Sequence, residues 1–546
     1  MDKRTITALL MMLVLYLAFD MLVWKPQRQA AQLANAAKTQ VTETPVDSTL
    51  QSGSEAESSS VIADSLLGNT NAVSSKVSLE NEHLIARFDS KGAVITSLEL
   101  KNYSYDENRK VDLVPQGDNL GGLSLYLGSS STALASTVFE YQLDEAKREL
   151  KFYLGTPDNP NVVKSYTLDD FYGLKMDVAV QNMGPISGIR WDFEAGIADS
   201  EKNVKSKLQD YRFYLNADND IMKLALSKMR KNPPQGSFGS FAWMAVRSKY
   251  FTIALREQEP PLSRSFSSMV NPQTANPGFS LDSFNRGAKQ SWQQSFVLYA
   301  GPADANLLKT YGKQMENIAE RGANWLRWLA NIFAWFLTWL HGYIKNYGIV
   351  ILILALILKI VLHPLTHKSM SASMKMQKIQ PQLQALQKKY KDDPKTLQLE
   401  MSKLYKEAGA SPLSGCLPLL LQMPIFLSLY NVLRYSLDMR NAGFGLWLTD
   451  LSEPDPYMIL PIIMGVFMVI QSLMIQPKKA DTEEMDEKQK AMQSSQKMMT
   501  WMMPIMMFFI FRSMPAGLVL YWTTFNIFSV IQQYYLMKHY KNKDLA

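Results

Sequence analysis

The sequence predicts a polytopic α-helical membrane protein of six spans that carries a large β-sandwich domain outside the lipid. Three observations support this. Long apolar runs recur through the C-terminal part of the chain. Lysine-rich and lysine-poor loops alternate between those runs. Residues 76–305 instead show short alternating segments bounded by Gly, Asn and Asp.

Residues 1–24, MDKRTITALLMMLVLYLAFDMLVW, place Lys3 and Arg4 before an apolar run broken only by Asp20. A signal peptide has an apolar core of about 7–15 residues with a small-residue cleavage site behind it. Here the run is longer and ends in VWKPQRQ. That favours an uncleaved anchor, N-terminus inside, over a signal peptide. Residues 25–75 are rich in Ala, Gln, Ser, Thr and Asn. Too few large apolar side chains are present to offset the entropy of ordering, so a disordered linker is expected.

Residues 76–320 are read as the sandwich. In VITSLEL, Val94, Leu98 and Leu100 share one face, and LIARF (Leu84–Phe88) and GGLSLYL (Gly121–Leu127) alternate in the same way. This period of two marks half-buried strands. The region has no clustered His, nucleophile elbow or glycine-rich phosphate loop. A scaffold or docking role is expected over a sugar-binding or catalytic one.

Residues 321–345 form a different kind of helix. In NWLRWLANIFAWFLTWLHGY, Asn324, Arg327, Asn331, Thr338 and His341 fall on one narrow stripe. Trp325, Trp328, Trp335, Trp339 and several Leu and Phe fill the rest. This pattern suits an amphipathic helix lying in the membrane interface on the outer side.

Five further spans follow by apolar length, near 346–366, 417–437, 457–475, 499–511 and 516–536. The span at 499–511 is short, and Pro504 and Pro515 bend or end helices here. Nine lysines lie in the loop 367–416, five more in 476–498, and Lys538, Lys541 and Lys543 in the tail 538–546. The loop 438–456 has only Arg440 against Asp438, Asp450, Glu453 and Asp455. Basic loops stay cytoplasmic. Six spans therefore put both termini and every lysine-rich loop inside, and the sandwich outside. Within the first loop, residues 367–410 read as a helical hairpin turned at KDDPK and closed at Gly409. Its basic face is either simply solvated or a dock for anionic partners such as ribosomal RNA or lipid head groups.

Composition narrows the chemistry. Cys416 is the single cysteine, which excludes disulfides and a cysteine-built metal site. Neither a metal, a cofactor nor a catalytic role is expected. The chain holds 31 Met, mostly beyond residue 310, and Met-rich surfaces adapt to partners of varied shape.

Lys359 is the residue that demands explanation. It interrupts YGIVILILALILKIVLHPL, and no Asp or Glu occurs inside the five C-terminal spans. At about 1.5 Å per residue it lies roughly 20 Å from the outer face and roughly 9 Å from the inner one. It either snorkels to the cytoplasm or faces a bundle interior or wet cavity. His363, one turn on, extends a polar stripe. In the last span Trp522, Asn526, Ser529 and Gln533 fall within about 60° of one another, and Gln422 and Gln471 offer polar groups from other spans. Interhelical polar glue explains isolated residues of this kind, but explains an unpaired lysine poorly. An uncompensated cation in a wet groove attracts an anion from outside the protein, such as the acidic flank of a membrane protein being inserted.

At these residues the chain resembles the YidC family of membrane protein insertases, in its Gram-negative form. The resemblance rests on HPLT (His363–Thr366), SPLSGCLPLLLQMPIFLSLY (Ser411–Tyr430), LWLTDLSEPDPYMILPIIMG (Leu446–Gly465) and PAGLVLYWTTFNIFSVIQQ (Pro515–Gln533), within 346–537. It implies a five-span insertase core in the inner membrane, with a groove open to cytoplasm and lipid, a periplasmic sandwich and a periplasmic interfacial helix. It implies nascent membrane proteins as clients, the Sec translocon as a partner, and the ribosome and the signal-recognition receptor as partners at the cytoplasmic hairpin, all within a phospholipid bilayer. The family's usual groove cation is Arg; Lys359 at that position keeps the charge but lacks the bidentate fork. A secondary transporter or channel would instead show inverted repeats and midplane carboxylates, and neither is present. A structural assembly factor that binds membrane proteins without inserting them is the other alternative.

Overall fold

The structure, a computed structural model, describes residues 73–475 and 501–543 apart from 128–129, 219, 239–240, 259–262, 273, 320–321, 323, 391–392, 410–416 and 503. The expected anchor at 1–24, nearly all of the linker at 25–75 and the loop 476–498 lie outside the described residues. The chain forms two compact units, one ending at Ala319 and the other following it.

The first unit is built from a 4-stranded and a 13-stranded sheet. The strands Gly173–Phe193 and Pro277–Pro302 pair antiparallel along most of their length. Each serves two neighbourhoods. Leu174–Val180 pairs on its other edge with Val162–Leu168, while Ile186–Asp192 pairs with Gly122–Leu127. The register slips between Gln181 and Gly188, which bends the pair. A Cβ on Gly188 would lie 2.6 Å from both the Phe284 ring and the Ser283 carbonyl, so only glycine fits that bend.

The small sheet packs on the hairpin of Glu149–Thr156 and Asn159–Leu168: the Phe88 ring lies 4.7 Å from Tyr166 and 6.1 Å from Phe152. Val94, Leu98 and Leu100 are buried, but so is Ile95. Strict alternation would have turned Ile95 outward. Arg87 pairs with Ser97 and Phe88 with Ile95, so Thr96 is an extra residue that shifts the strand's parity. Lys164 braces the two layers from inside. It is 0% exposed, and its ammonium donates to the carbonyls of Ala93 (2.6 Å), Gly121 (2.8 Å) and Gly92 (3.2 Å).

The second unit is helical. Among the described residues it has α1 (Arg327–Tyr343), α2 (Tyr347–Lys389), α3 (Pro394–Glu407), α4 (Leu417–Tyr435), α5 (Ile459–Ile475) and α6 (Ala516–Lys543), with a shorter helical segment at 504–511. On α1, Ala330, Phe333 and Leu337 pack inward, while Trp328, Trp335 and Trp339, and Trp325 in the turn just before it, are exposed. The broad apolar side is thus divided between protein packing and an outward tryptophan belt. The polar stripe is not left free: the Thr338 hydroxyl reaches Asp438 at 3.4 Å, and His341 stacks on Tyr347 at 3.7 Å.

α2 is one continuous helix of 43 residues with Pro364 and Pro381 inside it. A span ending at 366 and a separate hairpin helix were expected. Each proline removes one backbone bond, and packing on both sides lets the helix bend without ending. Asp393 caps α3 by accepting from Lys395 N at 3.1 Å and Thr396 N at 3.2 Å. Among the described residues, Tyr347–Met376 is long and apolar enough to cross a bilayer, and Ile459–Met474 is a shorter apolar helix.

The loop between α4 and α5 seals one end of this unit. Phe444 lies over Gly348, where a Cβ would come 2.0 Å from its ring. The Asn346 amide donates to the Phe444 carbonyl at 3.0 Å. The first N–H groups of α6 are met by loop carbonyls, Ala516 N to Glu453 O at 2.7 Å and Gly517 N to Leu451 O at 2.8 Å. Asp455 accepts from Leu460 N at 2.7 Å and Trp447 Nε1 at 3.1 Å, which fixes the start of α5.

Candidate functional site

α2 and α6 run side by side in the same direction. Ile351 meets Gly517, Lys359 meets Ser529, and Thr366 meets Gln532. Gly517 makes the approach possible, since a Cβ there would lie 3.1 Å from Ile351 Cδ1 and 3.2 Å from the Leu451 carbonyl. Below Lys359 the bundle is closed and apolar: Val350, Ile351, Leu354, Leu429, Leu518 and Val519 are all buried together. Above it the buried face turns polar.

Lys359 is 7% exposed while its neighbour Val361 is 64% exposed. The ammonium donates to Ser529 Oγ at 2.7 Å and lies 4.6 Å from the centre of the Phe525 ring. Ser529 Oγ donates in turn to the Phe525 carbonyl at 2.8 Å. Among the described residues Lys359 forms no ion pair.

Asn526, Ser529 and Gln533 are buried on the same face of α6. Gln422 on α4 is buried and donates to the Tyr521 hydroxyl at 2.8 Å. Trp522 is half-buried between Phe426 (5.2 Å) and Phe511 (5.6 Å). Gln471 is half-buried on α5, and no hydrogen bond ties it to this group among the described residues.

His363 departs from the expected stripe: it is exposed and lies 5.8 Å from His367. Helices running side by side meet about every seven residues, so the inward residue after Lys359 is Thr366. Thr366 accepts from Gln532 Nε2 at 3.3 Å. The sequence reading missed Thr366, Gln532, Tyr521 and Phe525. The seven-residue step from Lys359 to Thr366, and the four-residue step from Phe525 to Ser529, were the available signals.

Among the described residues, several buried polar atoms along α6 have no protein partner: Trp522 Nε1, Asn526 Nδ2, Gln532 Oε1 and Gln533 Oε1. Leaving such an atom unpaired costs about 1–3 kcal/mol. A line of them is therefore suited to water or to the polar groups of another chain. Around this line the surface is apolar and exposed, including Ile360, Val361, Ile462, Val466 and Phe509. Polar inside and apolar outside is the arrangement of a protein solvated by lipid. Among the described residues no three His, Cys, Asp or Glu converge as metal ligands.

Residues 76–336 match the model of the YidC periplasmic domain, and residues 339–543 match that of the 60Kd inner membrane protein. The Membrane protein insertase YidC of Chlorobium limicola is 31% identical over 98% of this chain and 94% of that protein. The chain belongs to the YidC family of membrane protein insertases. The YidC of Chlorobaculum tepidum is similar at 32% identity over 95% of this chain and 92% of its own length. A crystal structure of an active YidC insertase with its first transmembrane domain resolved is 19% identical, covers 88% of this chain and 98% of its own, and has a TM-score of 0.35. As a member of this family, the chain is an inner-membrane protein, and its β-rich unit is the periplasmic domain.

Proposed function

We propose that this chain inserts nascent membrane proteins into the inner membrane, alone or with the Sec translocon, through a hydrophilic groove along α2 and α6. Lys359 is its buried cation on α2. Gln422, Asn526, Ser529 and Gln533 line it, with Trp522 at its apolar edge. Both termini are cytoplasmic, six spans cross the membrane, and α1 lies in the periplasmic interface. The hairpin of α3 and the far half of α2 receives clients from the ribosome or the signal-recognition receptor.

The observation that carries this reading is the burial of Lys359 without a carboxylate, beside polar atoms that lack protein partners, among the described residues. A charge at membrane depth is costly unless it is hydrated or paired. Water in the groove meets that need and shortens the hydrocarbon that a client's polar tail must cross. The closed apolar end and the loop over it stop the groove from becoming a pore. The client's apolar segment then leaves sideways into lipid, and its burial, at about 25 cal/mol per Å², drives completion.

The test is insertion of a single-span client with an acidic translocated tail into liposomes holding the purified full chain. Lys359→Arg retains insertion. Lys359→Ala lowers its rate by about tenfold, the equivalent of about 1.4 kcal/mol. Equal rates for all three on that client would reduce Lys359 to a snorkelling anchor.

A further inference from the structure

Lysine in place of the expected arginine changes what is needed to hold the groove charge. A guanidinium is planar and can be fixed by a fork of acceptors, whereas an ammonium is a point charge on a flexible stem. Left unrestrained, that stem turns its head toward the nearest water. The nearest polar contact of Lys359 is a single hydroxyl, Ser529 Oγ at 2.7 Å. That hydroxyl has spent its proton on the Phe525 carbonyl at 2.8 Å, so it presents only lone pairs to the ammonium. One hydroxyl defines a distance but not a direction.

Direction comes from Phe525. Its ring centre is 4.6 Å from Lys359 Nζ, within the range of cation–π attraction. Phe525 and Ser529 lie one turn apart on α6, so the ring and the hydroxyl form a two-point seat on one helix face. The ring itself is half-buried, and its nearest aromatic neighbour is Tyr521 at 6.1 Å. An ammonium has three donors, and one is used by Ser529. The Phe525 ring covers a second side of the ammonium, and no other protein acceptor meets it among the described residues.

We propose that Phe525 is a positioning residue for Lys359: its ring face, with Ser529, keeps the ammonium at groove depth and presents its remaining donors to an acidic client segment. This rests on the groove reading above. It makes lysine and Phe525 a matched pair, in which the aromatic face does for an ammonium what a fork of acceptors does for a guanidinium. The benefit falls on clients with acidic tails, because only they use the positioned charge.

The experiment replaces Phe525 in the full chain and measures insertion into liposomes of two clients that differ only in an acidic or a neutral tail. Phe525→Leu keeps the apolar volume and removes the ring face. The ratio of acidic-tail to neutral-tail insertion then falls roughly 3- to 10-fold, and Phe525→Trp restores it. Incorporation of mono-, di- and trifluorinated phenylalanine at position 525 preserves shape and drains the ring's negative face, so the ratio falls stepwise with fluorine number. A ratio indifferent to fluorination, while Lys359→Ala still depresses acidic-tail insertion, overturns the role of Phe525 and spares the groove. A Lys359→Ala chain that shows the wild-type ratio overturns the groove reading and this one with it.

Discussion

Two of the buried lysines, Lys164 and Lys359, are solved in opposite ways. Lys164 in the periplasmic domain satisfies its ammonium with three carbonyls and is sealed from solvent. Lys359 has one hydroxyl acceptor among the described residues, which on the proposed reading suits a group that meets a client. Burial pushes the Lys164 ammonium down to about 7 from an ordinary 10.5. The sign follows from linkage. Between those values the unfolded chain binds more protons than the folded one, so stability rises with pH across that window. Thermal unfolding of wild type and Lys164→Met in parallel, from pH 6 to pH 10, should show wild type gaining on the variant as pH increases. A constant difference between the two would mean that the three carbonyls hold the proton throughout.

At the scale of elements, the start of α2 fits tightly against the loop after α4. A Cβ on Gly348 would sit 2.0 Å from the Phe444 ring. Alanine is worth about 1 kcal/mol over glycine in a helix interior, but overpacking costs about 1–3 kcal/mol, and so close an approach lets the clash win. Gly348→Ala should lower the melting temperature of the full chain in detergent. Combining it with Phe444→Ala should recover part of that loss, because the two substitutions share one contact. A simple sum of the two losses would show that the Gly348→Ala loss does not arise from contact with the ring. Neither residue stands out in the sequence. GAVITSLEL likewise gives no warning that Thr96 is a bulge, because a bulge is defined by the partner strand and not by the strand that carries it.

Taken as a whole, the helical unit reverses the usual distribution of polarity, and lipid is the solvent that makes sense of it. Val361 on α2 and Leu399 on α3 are similarly exposed, at 64% and 55%. In water an aspartate at either place would be harmless. The proposed topology puts Val361 in hydrocarbon and Leu399 in the cytoplasm, and the outcomes then separate. Val361→Asp meets a cost of about 2.5–3.5 kcal/mol and should reduce the membrane-integrated fraction seen after alkaline extraction. Leu399→Asp should stay close to wild type. Similar behaviour of the two variants would place the exposed face of α2 outside the lipid.

Membrane class, the separate β-rich region, the lysine-rich loops and the isolated lysine could all be read from the chain alone. Each is a local property: an apolar run, a period of two, a charge count, a missing carboxylate. The three-dimensional structure decided which groups face Lys359. It replaced His363 by Thr366, because the meeting of two helices follows a seven-residue step set by their packing. It brought Phe525 under the ammonium, because which side chain on α6 lies nearest depends on how closely Gly517 lets that helix approach α2. It also joined the first expected C-terminal span and the hairpin into one helix through two prolines. Side-chain periodicity is written along one chain, but the partner across a contact is fixed only when two elements pack together.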